Sequence, residues 1–318
     1  MKFVKYPSLE NLYNAKSLIS KFEHADALSG TFLVQEKIHG SCFCFYTDGI
    51  DVKCGKRTSI LEEDESFFGW QEVRDKYKGA ILKHAKLCLH ESQIQFEGAY
   101  FGELYGGSVQ KNMPYSKNKD FALFDTFMVV PNAKENVDTL ETYRFNFTYY
   151  EPSDVYLVTV VDKLKTLKHL ENLGVPVAPV LFSGSFEDCV NFNHIFESKL
   201  LDEGTMAMYG LEKGTEEYNR IAEAEGIVIS AQEPKVVQNC TLGIKVKTER
   251  FTEKSREPKA YVSQDKKLES LNTFEREVLN KLLCLVNQPR YDAVVSKIGE
   301  VDVKMFCTVM ITLCMMCM

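Results

Sequence analysis

The sequence lacks any excess of positive charge, because 45 acidic residues outweigh 38 basic ones and leave a net charge of −7. This balance excludes a protein that coats nucleic acid by bulk attraction, so any contact with nucleic acid must come from a local basic patch. Internal repeats and low-complexity stretches are also lacking. With 45% hydrophobic and 26% charged residues, the composition is that of a globular chain with a sizeable core.

A disulfide framework and an apolar signal region are missing as well. The ten cysteines are scattered without framework spacing, and polar residues follow the first few positions. These features predict free thiols in an intracellular, reducing compartment, with the cytoplasm favoured and a viral or organellar setting left open. The apolar tail Met305–Met318 is too short to span a bilayer comfortably and predicts a terminal segment packed on the core, with no membrane partner.

Alternating apolar patterns predict three groups of strands. The predicted strand groups are Thr31–Lys56, with a turn at Gly40 and a hairpin signal at Asp48-Gly49; Ile94–Tyr105 with Phe121–Val130; and Gly226–Ser230 with Leu242–Thr248.

Helical spacing marks a second set of segments. Apolar residues recur every four positions from Val73 to Leu89, which predicts an amphipathic helix. Further helices are predicted at Lys163–Leu173 and Phe186–Leu201. After about Arg250 the apolar residues fall near helical spacing, and alternating strand patterns are few. The chain is therefore expected to divide into a large α+β domain, residues 1–250, and a small helical domain, residues 251–318.

The first element with candidate chemistry is Glu36-Lys37-Ile38-His39-Gly40. A lysine in a K-x-x-G context can attack the α-phosphorus of a nucleotide, and the glycine lets the backbone turn tightly beside the phosphates. The attacking amine must be neutral, and neighbouring cations favour that form. Taken alone the pattern is weak, since a surface turn produces the same four residues.

Three further elements follow along the chain, each with a plain structural alternative. The planar guanidinium group of Arg57 can bind a phosphate through paired hydrogen bonds. Alternatively, Arg57 is an exposed charged residue of a hairpin. Glu103 precedes paired glycines at a strand end, where it can bond a ribose hydroxyl or simply be solvated. Phe124 can stack on a purine, whereas core packing is favoured for Phe121.

The last two elements lie in the third strand group. Glu225 opens a buried apolar strand, and since an unpaired buried carboxylate is costly, a divalent metal is the expected partner. Lys245 and Lys247 are two residues apart on a strand and so share a face. Two adjacent cations are stable together when they face an anion such as a triphosphate; a solvated edge strand is the alternative.

Together and in this order, the six elements resemble the covalent nucleotidyltransferases, which include ATP-dependent DNA ligases, RNA ligases and mRNA capping enzymes. Within that superfamily the sequence is similar to the phage RNA ligase 2 type, which includes the kinetoplastid RNA-editing ligases. His39 carries this distinction, because DNA ligases and capping enzymes usually have aspartate before the glycine. The resemblance implies an ATP-grasp-like ligase domain of antiparallel sheets with flanking helices, followed by the small helical domain.

The resemblance also implies a role for each matched residue. The implied catalytic residues are Lys37, the adenylated nucleophile, and His39, which assists a later step. The implied ATP-binding residues are Glu36 on the adenine side, Arg57 and Glu103 at phosphate and ribose, Phe124 stacked on adenine, and Lys245 and Lys247 at the phosphates. Glu225 would serve Mg²⁺.

Two positions depart from the family pattern. Cys42 stands where asparagine is usual, and Ser230 stands where the fourth motif usually ends in lysine. Each departure loses a polar or cationic contact. They keep open a catalytically silent RNA-binding relative as an alternative to an active enzyme.

The activity implied is that of an ATP-dependent RNA ligase, acting as a monomer with ATP and Mg²⁺ on 3′-hydroxyl and 5′-phosphate ends, at nicks in duplex RNA, through lysyl-AMP and RNA-adenylate intermediates. A DNA ligase or capping enzyme is the nearest alternative, but both normally need an OB-fold after the last lysine motif. The remaining segment is short and reads as helical. The candidate RNA-contacting residues are Lys245, Lys247, Arg250, Lys254, Arg256 and Lys259.

Overall fold

The structure is a computed structural model that describes residues 1–91, 96–107, 109–110, 113–135, 147–150, 155–159, 162–252, 276–278 and 281. The chain divides into two compact units, Met1–Arg250 and Phe251–Met318. Nearly all described residues belong to the first unit, and the fold below is the fold of that unit.

The described helices and strands follow one another in a mixed order along the chain. They are β1 (Glu10–Asn11), α1 (Lys16–His24), β2 (Phe32–Lys37), β3 (Ser41–Thr47), β4 (Val52–Lys56), α2 (Trp70–Glu91), β5 (Glu97–Gly106), β6 (Lys119–Pro131), β7 (Phe147–Tyr150), β8 (Val155–Thr159), α3 (Lys163–Asn172), β9 (Val180–Gly184), α4 (Phe186–Val190), α5 (Glu203–Met208), α6 (Glu216–Ala222), β10 (Gly226–Ala231), β11 (Val236–Val237), β12 (Cys240–Thr241) and β13 (Gly243–Lys247).

Two sheets organise the first unit. The five-stranded sheet has the order β1-β13-β10-β2-β9, and the six-stranded sheet has the order β4-β3-β5-β6-β8-β7. Apart from the short parallel pair β1–β13, the strand pairs of both sheets are antiparallel. The predicted fold class, antiparallel sheets with flanking helices, is therefore confirmed.

The five-stranded sheet has one apolar face because alternate residues of its strands point to the same side. That face packs with α1 and α4 through Phe32, Val34, Ile227, Ile229, Ile244 and Val246. The intervening residues point to the opposite face, which carries Gln35, Lys37, Val228, Ser230, Lys245 and Lys247. One face thus holds the sheet in place while the other presents amide, hydroxyl and ammonium groups.

The six-stranded sheet is covered by apolar side chains on both faces. One face packs on α2 and α3 through aromatic residues such as Phe43, Phe121 and Trp70. On the other face, Val4 and Tyr6 of the N-terminal segment pack against the sheet. Tyr46 donates a hydrogen bond of 2.5 Å to the carbonyl of Val4, which fixes this segment along the sheet.

Most predicted elements are confirmed. The segment Thr31–Lys56 forms β2, β3 and β4, and the hairpin turn is fixed by the Asp48 carboxylate, which accepts from the backbone of Ile50 and Asp51. The periodic segment from Val73 onward lies in α2, and the helix predicted from Lys163 is α3. Strands β5, β6, β10 and β13 coincide with the remaining predicted strands within a few residues.

The predicted helix Phe186–Leu201 is wrong beyond its first five residues, which form α4. The side chain of Asn193 accepts a hydrogen bond of 3.1 Å from the backbone of Ile195, a local turn that competes with helix. The following residues lead to Ser198 and Lys199, both of which donate hydrogen bonds to the carboxylate of Glu36 on β2. A contact with the five-stranded sheet therefore overrides the helical pattern.

Other predictions fall outside the described residues. They include the packing of Met305–Met318 and most of the small helical domain. Of that domain, residues 251–252, 276–278 and 281 are described, and residues 276–278 and 281 are helical. Within the described part of the chain, no helix is both long and apolar enough to cross a membrane.

Candidate nucleotide site

A cavity of about 410 Å³ lies between the two sheets. The five-stranded sheet contributes Lys37, Val228 and Lys245, while Glu103 and Phe124 come from the six-stranded sheet. This volume is in the range of pockets that hold small molecules. Six of the nine predicted site residues line it: Glu36, Lys37, Arg57, Glu103, Phe124 and Lys245.

The remaining three predicted residues, Glu225, Lys247 and His39, meet at the C-terminal end of β2. Glu225 accepts from Lys37 Nζ at 2.8 Å through Oε2 and from Lys247 Nζ at 3.1 Å through Oε1. His39 Nδ1 lies 3.3 Å from Glu225 Oε2. All nine predicted residues thus belong to one connected site, built from segments that are up to two hundred positions apart in the sequence.

Glu225 is the centre of this polar cluster. Its side chain is 5% exposed, and burial alone would raise the pKa of its carboxyl group. The hydrogen bond with His39 and the charges of Lys37 and Lys247 outweigh burial and lower the pKa to about 2. The carboxylate is therefore ionised throughout the neutral range and holds three side chains of the site in place.

Two glycines allow the backbones to approach closely here. Gly226 has φ +142°, and a Cβ atom would lie 1.9 Å from the carbonyl oxygen of Val246. A Cβ atom on Gly40 would lie 2.3 Å from the carbonyl oxygen of Leu104 and 2.8 Å from Cγ of Glu103. The glycine of K-x-x-G is therefore required because the neighbouring strand packs directly on it, beside the predicted ribose-binding carboxylate.

A second group of charged and polar side chains lies around Glu103. Burial raises the pKa of Glu103 to about 7, against the opposing charge of Lys37. Burial also raises the pKa of the Cys42 thiol to about 12, so this thiol is neutral in the cavity wall. Arg57, the first residue after β4, is exposed and lies 3.4 Å from the hydroxyl of Ser8.

The ammonium groups of Lys37, Lys245 and Lys247 lie close enough together for their charges to interact. Burial, together with the charges of Lys247 and Lys37, lowers the pKa of Lys245. With Arg57, these three lysines form a cationic cluster, of which Lys37, Lys245 and Arg57 line the cavity. Since like charges are stable together when they face an anion, this cluster suits a polyphosphate.

Phe124 forms an aromatic wall of the cavity, and its orientation depends on a β-bulge in β6. Phe101 pairs with Asp125 and Gly102 pairs with Leu123, so Phe124 is the extra residue. Odd-numbered residues of β6 before the bulge face α2, whereas odd-numbered residues after it face the opposite side. Because the bulge reverses the alternation, Phe124 and Asp125 both point toward the N-terminal segment, and Phe124 lines the cavity.

Tyr6 of the N-terminal segment supports this wall. Its ring contacts Phe124 edge-on with a centroid distance of 5.0 Å, and its hydroxyl donates to Asp125 Oδ2 at 2.9 Å. Tyr6 also lines the cavity. An aromatic side chain held in this way presents a rigid apolar surface to a planar ligand.

Glu36 lies in the cavity wall, but its carboxylate is engaged elsewhere. It accepts from the hydroxyl of Ser198 and from the backbone N–H of Lys199 at 2.9 Å. Burial is the largest influence on its pKa, which is raised despite these bonds. In this structure Glu36 ties β2 to the segment after α4, and its contact with adenine stays a prediction.

Sequence reasoning missed Lys163, which lines the cavity from the N-terminus of α3. Its ammonium group is buried, lies 3.4 Å from Asp125 Oδ2 and donates to the hydroxyl of Ser230 at 3.0 Å. Ser230 is the residue that stands where the family usually has lysine. A lysine ammonium is thus present beside that position after all, supplied by a different element.

Replacing Lys163 by methionine should destabilise the fold by about 3 kcal/mol, because removal of one partner leaves the buried carboxylate of Asp125 without its counter-ion. Urea unfolding measures this change. Lys165→Met is the matched control, since that lysine lies on the same helix but is 85% exposed. Equal unfolding midpoints for the two variants would show that the buried pair contributes nothing.

The candidate RNA-contacting stretch is only partly described. Arg250 donates to the carbonyl oxygens of Arg220 at 2.6 Å and Ile221 at 2.8 Å, near the end of α6. The guanidinium group of Arg250 thus bonds carbonyl groups at the C-terminal end of α6, as basic side chains often do at helix ends. Lys254, Arg256 and Lys259 lie outside the described residues.

The two-sheet cavity, with a lysine of K-x-x-G at one end and a paired-lysine strand beside it, defines the class of covalent nucleotidyltransferases. The sequence profile of the RNA ligase family matches residues 30–247, more than half of the chain. The chain belongs to the RNA ligase family.

Solved structures of a Naegleria gruberi RNA ligase are similar to this chain. A variant with ATP and manganese has a TM-score of 0.47 and 16% identity, and the alignment covers 79% of this chain and 58% of that one. The same protein with pyrophosphate has a TM-score of 0.47 and 17% identity, with the same coverage. The chain thus spans less than two thirds of the length of these relatives.

Proposed function

We propose that this protein is an ATP-dependent RNA ligase that carries AMP on Lys37 and seals 3′-hydroxyl and 5′-phosphate RNA ends. The observation that carries the proposal is the single cavity that joins the Lys37 amine, a cationic cluster and an aromatic wall. A nucleoside triphosphate has the matching parts: a phosphorus to attack, a polyphosphate and a planar base.

The reaction begins at Lys37 Nζ, which loses a proton and attacks the α-phosphorus of ATP. A P–N bond forms, the bond to the bridging oxygen breaks, and pyrophosphate leaves toward Lys245, Lys247 and Arg57. An oxygen of the RNA 5′-phosphate then attacks the same phosphorus and the P–N bond breaks. Finally the 3′-hydroxyl attacks the activated 5′-phosphate, and AMP leaves. The protein chiefly positions groups and neutralises charge.

Mg²⁺ fits this site as an ion carried by the phosphates. The described residues hold no group of three or more His, Cys, Asp or Glu side chains that could bind a metal alone. Glu103 lines the cavity and Glu225 lies beside it through Lys37, whereas the carboxylate of Glu36 is bonded to Ser198 and Lys199. One or two carboxylates with substrate phosphates are the usual magnesium environment. When bound, the ion supplies positive charge that neutralises the phosphates.

His39 is proposed to act in the later transfer of AMP to RNA. Its backbone N–H donates to the hydroxyl of Tyr115 at 2.9 Å, and its ring lies against Glu225. These two contacts hold the imidazole beside Lys37 without filling the cavity. The histidine can therefore contact the phosphate that replaces pyrophosphate in the second step.

The setting proposed for this enzyme is a reducing compartment, with RNA as partner and a monomeric state. Free thiols are typical of such a compartment, and five described cysteines are of this kind: Cys42, Cys44, Cys54, Cys189 and Cys240. Light scattering of the purified protein tests the monomer.

Intact mass spectrometry tests the first step. Purified protein incubated with ATP and Mg²⁺ should gain the mass of one AMP, and pyrophosphate should reverse the gain. No added mass, with the protein folded by circular dichroism, would overturn the proposed function.

A nick-sealing assay tests the substrate class. Duplexes with a nick between an RNA 3′-hydroxyl strand and a 5′-phosphate strand should be sealed, whereas an all-DNA nick of the same sequence should be sealed at least about tenfold more slowly. The expected difference corresponds to about 1.4 kcal/mol of contact with the ribose hydroxyls. Equal sealing of both duplexes would assign the protein to DNA ends instead.

A further inference from the structure

Gln35 has a buried side chain with an unused hydrogen-bond donor. The residue is 1% exposed, and its Nε2 is the buried side-chain nitrogen or oxygen that has no hydrogen-bond partner among the described residues. Buried polar groups are almost always paired because an unpaired one costs free energy. Gln35 also lines the cavity, so the donor is available to a ligand there.

The strand register places this amide next to the aromatic wall. Gln35 pairs directly with Val228, which in turn pairs with Lys245 on the next strand. Phe124 and Val228 both line the cavity, and both present apolar surface to it. A planar ring held between these two side chains would turn an edge toward Gln35.

The distance from the reacting amine fits this placement. Gln35 and Lys37 lie on the same face of β2, two residues apart, which is about 7 Å along a strand. Glu103 lines the same cavity. A nucleotide with its α-phosphorus at Lys37 and its ribose near Glu103 would bring its base to the level of Gln35.

We propose that Gln35 is a base-reading residue, whose amide N–H donates a hydrogen bond to an unprotonated ring nitrogen of adenine. The proposal rests on the nucleotide site of the proposed function and adds the residue that recognises the base. No described protein group bonds to this nitrogen, which leaves its donor for a ligand in the cavity.

The test compares wild type and Gln35→Met with ATP and with its 1-deaza, 3-deaza and 7-deaza analogues, each lacking one ring nitrogen. Binding is read from the ligand-induced shift in melting temperature, and chemistry from the rate of AMP addition. Gln35→Met should reduce both the affinity for ATP and the rate of AMP addition about tenfold, the size expected for one buried hydrogen bond. Wild type should bind one deaza analogue more weakly than ATP by a similar factor, and Gln35→Met should not reduce the affinity for that analogue further.

Two controls separate this role from a structural one. Without nucleotide, Gln35→Met should melt no lower than wild type, because the amide nitrogen has no protein partner to lose. Gln232→Met removes an amide that is bonded to Asp162 at 3.4 Å and should leave the ranking of the analogues unchanged.

Three results would overturn the assignment. They are an unchanged affinity of Gln35→Met for ATP, a full tenfold effect of the substitution with all three deaza analogues, or a lower melting temperature without nucleotide. The melting shift reads base contact without chemistry. A protein that binds ATP through Gln35 yet gains no AMP would therefore contradict the proposed ligase and leave base reading supported.

Discussion

Lys37→Ala protein should gain no AMP when it is incubated with ATP and Mg²⁺, whereas the wild-type protein gains one. In the proposed reaction the amine of Lys37 is the nucleophile, and alanine leaves no group at that place in the cavity that can form the P–N bond. The loss should therefore be complete within the detection of intact mass spectrometry. RNA sealing from ATP should fall with it, because the second step has no AMP to transfer.

Lys37→Arg distinguishes the nucleophile from its charge. Arginine keeps a cation that can pair with Glu225, but a guanidinium stays protonated and does not attack phosphorus. The arginine variant should therefore melt close to wild type and still gain no AMP. Lys53→Ala, an exposed lysine of β4, should gain AMP as wild type does. An adduct on Lys37→Ala would place the nucleophile elsewhere and end the proposal.

The site residues could be predicted from the sequence because each belongs to a short local pattern. Strand ends and glycines indicate Lys37, Glu103 and Glu225, and strand alternation alone places Lys245 and Lys247 on one face. Such patterns can be recognised in the sequence because the backbone geometry that they require is set within a few residues. The order of the patterns then indicates the class of protein.

Lys163 and Tyr6 could not be predicted in this way. Each reaches the cavity through tertiary contacts, Lys163 from the start of a helix and Tyr6 from a segment with no regular structure. Asp125 directly follows Phe124, and simple alternation puts the two on opposite faces. Only the bulge at Phe124, which depends on the register with β5, turns both toward the N-terminal segment.

Replacing Glu225 by glutamine should cost about 3 kcal/mol of folding free energy at pH 7. Its carboxyl pKa is lowered from 4.5 to about 2 in the folded protein, and each unit corresponds to about 1.4 kcal/mol. Glutamine cannot offset the charges of Lys37 and Lys247, which would then face each other across the site.

The pH dependence follows from the direction of this shift. Because the folded pKa is depressed, the stability contributed by Glu225 is fully present above about pH 4.5 and is lost as the pH falls toward 2. The gap between wild type and Glu225→Gln in urea unfolding should therefore be largest near neutral pH and clearly smaller at pH 3. Glu217→Gln, an exposed residue of α6, should differ from wild type by less than about 0.5 kcal/mol at either pH.

Activity should fall as well as stability. Glu225 fixes the positions of Lys37 and His39, and misplacing a reacting group by about 1 Å can reduce a rate by about 10². The rate of AMP addition in Glu225→Gln, measured where the variant is fully folded, should fall by at least about that factor. A variant that remains as stable as wild type at pH 7 and adds AMP at the wild-type rate would show that the cluster of cations holds its geometry without the carboxylate.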